Sequence, residues 1–467
     1  MRKGRRDLVP QLLCSGCFAL CFYAFMLIEA FVNEGCAVIF GSGAVNTLYA
    51  LGLVCTGAGF LSFPLLCRAC KGENSRKAAL LIAGGLCLAA AAVLTAAARP
   101  AAFLLSSAAA LLLTGHIGGW MYHTAAVCFA GSRYTGRMIG SGMGASIFLQ
   151  FIVQNLTPCR EVFLGSVFLS LAFALCFMVR AMKGGAGEKP LPAPSRGRGG
   201  RESAAALVAA VALMSLAAGM IDSVLTSFNA EKAYDIYGGV RLLYGLGLIL
   251  AGFVADIKER SYLPLATVCA VLLSSVCMFF LSEEVGYFAG TALMYLYSGF
   301  YAVFLTVMFL DYAPKSGCPE LWAGMGRIVR SFTVAATVLP ALKVYDAAGS
   351  TVLAAGSCLA SIGVLLALLP HIGHAVAAWE RGGEDSGRKE SSPREKLALY
   401  AQSRALTPRE TEVLERLLTT EEDLQGIADS MYISRRMVQR YVSSIYEKTE
   451  TKTRLGLFQS YISFTAD

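Results

Sequence analysis

The residues of this 467-residue chain best placed to do chemistry are charges set inside apolar runs. Glu29, Asp222, Arg241, Arg327 and Arg330 all lie in such runs. A charge at membrane depth costs roughly 2.5–3.5 kcal/mol on insertion scales, so it turns toward a cavity or a partner. One arrangement is a central cavity for a polar or charged small molecule, with Asp222 and Arg241 as an ion pair. The other is structural pairing and snorkelling toward headgroups. By position, Glu29, Asp222 and Arg241 fall toward one face of the bilayer, and Arg327 and Arg330 toward the other. A second set lies near the C-terminus: Ser434, Arg435, Arg436, Met437, Gln439, Arg440 and Ser443, with Lys448 and Arg454 beyond. Gln439 suits adenine, and Arg435 or Arg436 suits guanine or phosphate. Lys448 and Arg454 suit phosphate contacts, which position a duplex without specifying its sequence.

Other polar residues carry weaker expectations. His116 and His123, seven apart, share one helical face; packing against Tyr122 or Trp120 is the plainer reading and a proton-linked role the sharper one. Gln150, Gln154 and Asn155 either line the same cavity or bond across helices. Most of the 15 cysteines sit in apolar runs, where Cys acts as a small hydrophobe. Cys67 and Cys70 form a C-x-x-C pair with no second pair or nearby His, a weak metal or redox signal. No nucleotide loop, metal-spaced set or nucleophile motif stands out, so neither catalysis nor a cofactor is expected.

The elements that must hold these residues are helices. The chain is 56% hydrophobic and 15% charged, with a mean hydropathy of +0.57. Between Leu8 and Pro370 the apolar residues come in blocks long enough to cross a bilayer of about 30 Å. Spans are expected near 11–32, 44–66, 78–98, 101–123, 138–158, 161–181, 204–228, 237–256, 261–281, 286–310, 322–344 and 350–370. The basic start, Met1 to Arg6, resembles a signal n-region, but no A-x-A-like site follows, so a retained first span is expected. Lysine and arginine gather on the side of the N-terminus, as at Arg68, Arg76, Arg133, Arg137, Arg180, Lys258 and Arg260. The opposite side holds little beyond Arg99, Arg160, Lys232 and Lys343. This asymmetry predicts cytoplasmic termini, and the net charge of +8 largely reflects it.

An internal repeat organises the apolar part. Gly43 to Gly57 and Gly238 to Gly252 share Gly, Val, Leu, Tyr, Leu, Gly, Leu and Gly in register, and Gly142-Met143-Gly144 is echoed by Gly324-Met325-Gly326. Two six-span halves are therefore expected at 1–182 and 204–371, joined by a basic Gly/Pro-rich linker at 183–203. This plan resembles the major facilitator superfamily. Gly252 to Arg260, with Asp256 between, is similar to that superfamily's glycine–aspartate–basic loop; the matching place at Gly59 to Lys71 lacks the Asp. A flexible linker is expected at 372–399.

After a short helix near 394–403, Thr407, Pro408 and Glu410 read as a capping box opening an amphipathic helix through Val413, Leu414, Leu417 and Leu418. Asp423 caps a second helix and Ser434 a third, whose Val438, Val442 and Ile445 face inward. A fourth offers Leu455, Phe458 and Ile462. Two short helices, a turn and a basic third helix make helix-turn-helix geometry. Leu406 to Glu410, Ile427-Ala428, Ile433-Ser434, Val438, Ile445-Tyr446, Lys448 and Arg454 resemble the LuxR-type regulators. That resemblance implies recognition by Arg435 to Ser443 and a dimer contact on the fourth helix. Met437-Val438-Gln439-Arg440-Tyr441 departs from the family's usual Thr-Val-Lys-x-His, and Gly426 stands where Glu is usual, which implies a different operator.

The expected fold class is all-α: a polytopic helical membrane bundle of two six-span repeats plus a small C-terminal four-helix helix-turn-helix domain at 400–467. The expected function is a membrane-bound one-component transcription regulator of bacteria. It would sit multi-pass in the cytoplasmic membrane, sense an unknown small molecule, bind double-stranded DNA and pair as a homodimer through the C-terminal module. The alternative is a secondary transporter with a regulatory DNA-binding tail.

Overall fold

The computed structural model describes the chain except residues 1, 71, 98, 157–158, 184–197, 231–237, 278–283, 388–392, 421 and 465–467. Its regular elements are helices: α1 (Arg2–Phe40), α2 (Ser42–Ala69), α3 (Glu73–Ala96), α4 (Pro100–Cys128), α5 (Thr135–Phe151), α6 (Arg160–Lys183), α7 (Arg198–Ala230), α8 (Leu242–Ala255), α9 (Tyr262–Cys277), α10 (Glu284–Tyr312), α11 (Pro319–Gly387), α12 (Pro393–Ser403), α13 (Pro408–Thr419), α14 (Leu424–Ser430), α15 (Arg435–Lys448) and α16 (Arg454–Ser463). The chain divides into two compact units, Met1–Ala375 and Val376–Asp467.

The described part of each expected span falls on helix in the first unit; residues 98, 157–158, 237 and 278–281 of those spans lie outside the described residues. Eight stretches among the described residues are long and apolar enough to cross a membrane; one of them, Pro319–Leu369, has 51 residues. That length suffices for two passes at about 1.5 Å per residue. α11 breaks at Gly349, whose φ of 74° is open to glycine and strained for other residues. The break separates the last two expected spans. α8 and α9 are shorter, and α5 ends in a π-helical turn over Ile152–Leu156.

The repeat has a structural counterpart. α2 and α8 carry its first motif, α5 and α11 its second, and the halves meet through the matched pairs. A Cβ on Gly252 of α8 would lie 2.6 Å from the Gly136 carbonyl oxygen and 3.0 Å from the Gly140 Cα of α5. A Cβ on Gly57 of α2 would lie 3.0 Å from the Phe332 ring and 3.1 Å from Ser331 Cβ of α11. Small residues let helix backbones approach where lipid offers no hydrophobic drive.

The glycine–aspartate–basic loop ties three helices together. The side chain of Asp256 is fully buried. It accepts from the backbone N–H groups of Gly136 and Arg137 at 2.8 and 2.9 Å, from Arg137 Nε at 3.0 Å and from Arg260 Nη1 at 2.5 Å. The carboxylate thus sits at the N-terminus of α5, where the helix dipole favours negative charge. Arg260 also donates to Asp311 of α10 at 2.7 Å. In the first half, Arg76 instead reaches the carbonyls of Cys70 and Cys67, at 2.8 and 3.0 Å.

Both expected linkers are shorter than the sequence implies. α7 already begins at Arg198, α11 runs on to Gly387, and α12 begins at Pro393. The Ala375-Val376-Ala377-Ala378 run after the last span has high helix propensity and continues the helix. The remaining linker residues, 184–197 and 388–392, lie outside the described residues.

The C-terminal unit has its own core. Leu397, Tyr400, Val413, Leu414, Leu417, Ile427, Ala428, Val438, Val442, Ile445 and Leu457 are buried together. α12 belongs to this core: the Tyr400 ring meets Tyr461 and Phe464 edge-on at 5.5 and 5.2 Å.

Candidate functional site

In the membrane unit, Glu29 of α1, Asp222 of α7, Arg241 beside α8, and Arg327 and Arg330 of α11 line one cavity of about 140 Å³. Both halves contribute, and the expected division into two depths is replaced by a single chamber. Long arginine side chains can close that gap without moving the helices. Tyr49, Tyr244, Tyr295 and Tyr301 add hydroxyl-bearing walls.

The pairing differs from the expected Asp222–Arg241. Asp222 faces Arg330, with Nη2 to Oδ2 at 3.6 Å, and accepts from the Tyr49 hydroxyl at 3.2 Å. Arg241 instead donates from Nε and Nη2 to Gln150 Oε1, at 3.3 and 3.2 Å. Gln150 is fixed by donating to the Met26 carbonyl at 3.1 Å. A neutral amide from α5 thus holds Arg241 at the cavity edge.

Arg327 is 8% exposed. Its Nε donates to the Tyr122 hydroxyl at 2.7 Å, and its guanidinium carbon lies 5.2 Å from the centre of the Phe22 ring. Its Nη2 is buried without a hydrogen-bond partner among the described residues. Tyr122, on α4, was not singled out as a site residue; its hydroxyl also lies 3.4 Å from Thr306 Oγ1. A second pocket of about 40 Å³ adjoins, lined by Phe22, Phe60, Tyr122, Arg327, Arg330 and others.

His116 follows the plainer reading. Its Nδ1 lies 2.6 Å from Ser62 Oγ, which donates to the Gly59 carbonyl, and its Nε2 accepts from Trp120 Nε1 at 3.3 Å. Both ring nitrogens are satisfied within α2 and α4. Gln154 bonds Glu34 at 3.3 Å and Asn155 its own helix at 3.1 Å, so neither joins the cavity.

In the C-terminal unit the capping box forms as the sequence predicts. Thr407 N–H donates to Glu410 Oε2 at 2.7 Å, and Glu410 N–H to Thr407 Oγ1 at 3.3 Å. Asp423 accepts from Gly426 N–H at 2.8 Å, so the glycine at the unusual position takes the cap. Ser434 caps α15, accepting from Met437 N–H at 3.4 Å. The turn before α15 passes through Tyr432 at φ 54°, with Ile433 N–H bonded to the Ala428 carbonyl at 3.1 Å, a left-handed helix end on a non-glycine residue.

α15 buries Val438, Val442 and Ile445, and Tyr441 and Tyr446 pack half-buried against the same core. Ser434, Arg435, Arg436, Met437, Gln439, Arg440 and Ser443 are all exposed. They form one basic face beginning at the helix N-terminus, the geometry of a recognition helix.

Lys448 and Arg454 are engaged differently from the phosphate role assigned to them. Lys448 Nζ donates to Glu410 Oε2 at 2.7 Å and to the Ala405 carbonyl at 3.1 Å. Arg454 donates to the carbonyls of Leu417 at 2.9 Å, Glu422 at 2.8 Å and Thr420. Its guanidinium therefore satisfies carbonyls at the C-terminal end of α13 and just beyond it. Both side chains stitch the module together.

Glu410 is the centre of that stitching. It is 5% exposed and also accepts from Ser444 Oγ at 2.6 Å. Burial acts to raise its carboxyl pKa, but the hydrogen bonds from Lys448, Ser444 and Thr407 outweigh it and hold the value down to about 2. On α16, Leu457 is buried while Leu455 and Phe458 are exposed, at 67% and 41%.

A family model described as bacterial regulatory proteins, luxR family, matches residues 404–460. No curated protein matches the chain. Among solved structures, the human organic anion transporter MFSD10 (TETRAN) is similar at a TM-score of 0.53 and 17% identity. It covers 79% of this chain and 99% of its own. The E. coli fucose:proton symporter FucP overlaps at a TM-score of 0.49 and 14% identity, over 78% and 99%. The fold assignment rests on the first of these and on the twinned halves. Residues 404–460 are a LuxR-family helix-turn-helix module, carried on the same chain as a membrane unit with the fold of the major facilitator transporters.

Proposed function

We propose that the protein is a membrane-bound, one-component transcription regulator. A small molecule enters the cavity lined by Glu29, Asp222, Arg241, Arg327 and Arg330 and favours one arrangement of the two halves. Ligand control of this kind works only through unequal affinity for two states. The response passes to the C-terminal module, held in the cytoplasm by a chain anchored in the inner membrane with both termini inside. There Ser434, Arg435, Arg436, Met437, Gln439, Arg440 and Ser443 read promoter DNA. Leu455 and Phe458 of α16 supply the contact between two copies.

One observation carries the reading. A chamber of ionisable side chains and an exposed basic helix of a regulator family occur in one polypeptide. Genome-wide occupancy of the full-length protein provides the test. Gln439→Ala should relax the preference for one base by about 1–3 kcal/mol, and Arg435→Ala should weaken binding at all sites. An unchanged occupancy map in Gln439→Ala would remove the recognition assignment.

The membrane unit's fold supports a second reading, a secondary transporter with a regulatory tail. Substrate accumulation in vesicles that is lost on Asp222→Asn would favour it. Promoter control that persists without any flux would favour the regulator.

A further inference from the structure

We infer that the cavity takes a small organic anion with a short apolar or aromatic body. Its acid group would sit at the Arg327–Arg330 edge, and its body against Phe22 and Phe60. The inference deepens the regulator reading, since it rests on this cavity being where the small molecule binds.

The sign of the charge is the first support. Three guanidinium groups, Arg241, Arg327 and Arg330, face two carboxylates, Glu29 and Asp222, around the chamber. Among the described lining residues, guanidinium groups outnumber carboxylates. Asp222 is already engaged by Arg330 and Tyr49, and Arg241 by Gln150.

The open position is at Arg327. This side chain is more than nine-tenths buried, and its Nη2 has no hydrogen-bond partner among the described residues. A buried charged donor left unmade is costly, and a buried charge is normally paired. An acid oxygen would complete it. Arg327 is also pre-set, because Tyr122 holds Nε and the Phe22 ring lies against the guanidinium. A guanidinium so held accepts a planar carboxylate with little loss of freedom.

The shape of the space supplies the apolar body. Arg327 and Arg330 line both the polar chamber and the adjoining pocket, whose walls include Phe22 and Phe60. An acid group and an apolar group on one small molecule would occupy the two spaces at once, with the arginines at the seam. The joining of a mostly apolar wall to a few convergent polar groups is the usual make-up of a small-molecule site.

The test measures binding to the purified full-length chain in nanodiscs, without DNA. The probes are benzoate, phenylacetate and hexanoate, each against its own neutral amide, with inorganic phosphate beside them. At least one acid should bind saturably and about ten- to a hundredfold more tightly than its amide. Arg327→Gln should lose that preference. Glu29→Gln should tighten acid binding several-fold, because it removes a repelling charge, and a gain of affinity cannot come from misfolding. Amides binding as well as acids, no saturable acid binding, or weaker acid binding in Glu29→Gln would each overturn the inference. Phosphate binding as tightly as the best acid would overturn the apolar body. Because promoter control is not part of this measurement, a reporter that responds to a neutral compound would sink this inference while leaving the regulator reading in place.

Discussion

Two buried charges, one in each unit, are treated in opposite ways. Glu410 in the C-terminal unit is 5% exposed and accepts from Thr407, Ser444 and Lys448. Arg327 in the membrane unit is 8% exposed and, among the described residues, has one hydrogen-bond acceptor in Tyr122 and keeps a buried nitrogen open. A saturated polar network rigidifies and specifies a core, whereas an open one is costly unless something else completes it. The difference is not one of solvent or lipid. Asp256, in the membrane unit, is as saturated as Glu410. Completion of hydrogen bonding therefore separates Asp256 and Glu410 from Arg327 at the candidate cavity.

The largest effect that sharpens this contrast is expected at Asp256. Removing one member of a buried, hydrogen-bonded charge cluster leaves the others uncompensated, at a cost of about 3–5 kcal/mol. Asp256→Ala should lower the melting temperature of the purified full-length protein well below that of Arg137→Ala, whose side chain is 42% exposed and should cost about 1 kcal/mol or less. Equal melting of Asp256→Ala and the parent protein would break the comparison at its strongest point.

Glu410 comes next, through its pH dependence. Its folded pKa of about 2 lies below the reference 4.5, so ionisation stabilises the folded unit. That contribution is full above about pH 4.5 and is lost as pH falls toward about 2. It amounts to about 3 kcal/mol from the gap between the two values. The measurement is unfolding of a fragment spanning 393–467, which contains its own core. Glu410→Gln should destabilise it at about pH 7 and lose most of that difference near pH 3. A difference that stays the same at both pH values would show that the carboxylate charge is not what the network holds.

Much of this is legible in the amino-acid sequence alone. Hydropathy blocks marked the spans because a bilayer imposes its thickness on any helix that crosses it. The capping box and the inward Val438, Val442 and Ile445 were visible because both are local patterns, three or four residues apart. The five ionisable residues stood out for their apolar neighbours alone. What stayed hidden was partnership. Arg327 and Tyr122 lie 205 residues apart, and no local pattern joins them. Asp222 had two arginines within plausible reach, and the choice of Arg330 over Arg241 depends on Gln150 of a third helix. Lys448 and Arg454 looked free for phosphate because their acceptors are largely backbone carbonyls, which every residue carries and no sequence distinguishes.

The smallest effect is the most discriminating. Arg327→Gln should change the stability of the ligand-free full-length protein by no more than about 1 kcal/mol, and a gain is as compatible as a loss. Among the described residues its hydrogen-bond partner is a neutral hydroxyl that keeps Thr306 nearby, so no charged neighbour among them loses a hydrogen bond. The substitution also removes a buried nitrogen that the fold does not satisfy, which offsets the lost contact with Phe22. Thermal melting without ligand reads this directly, beside Asp256→Ala in the same preparation. If Arg327→Gln proves as destabilising as Asp256→Ala, the open nitrogen reports a strained structural charge, and completion of hydrogen bonding no longer separates fold from site.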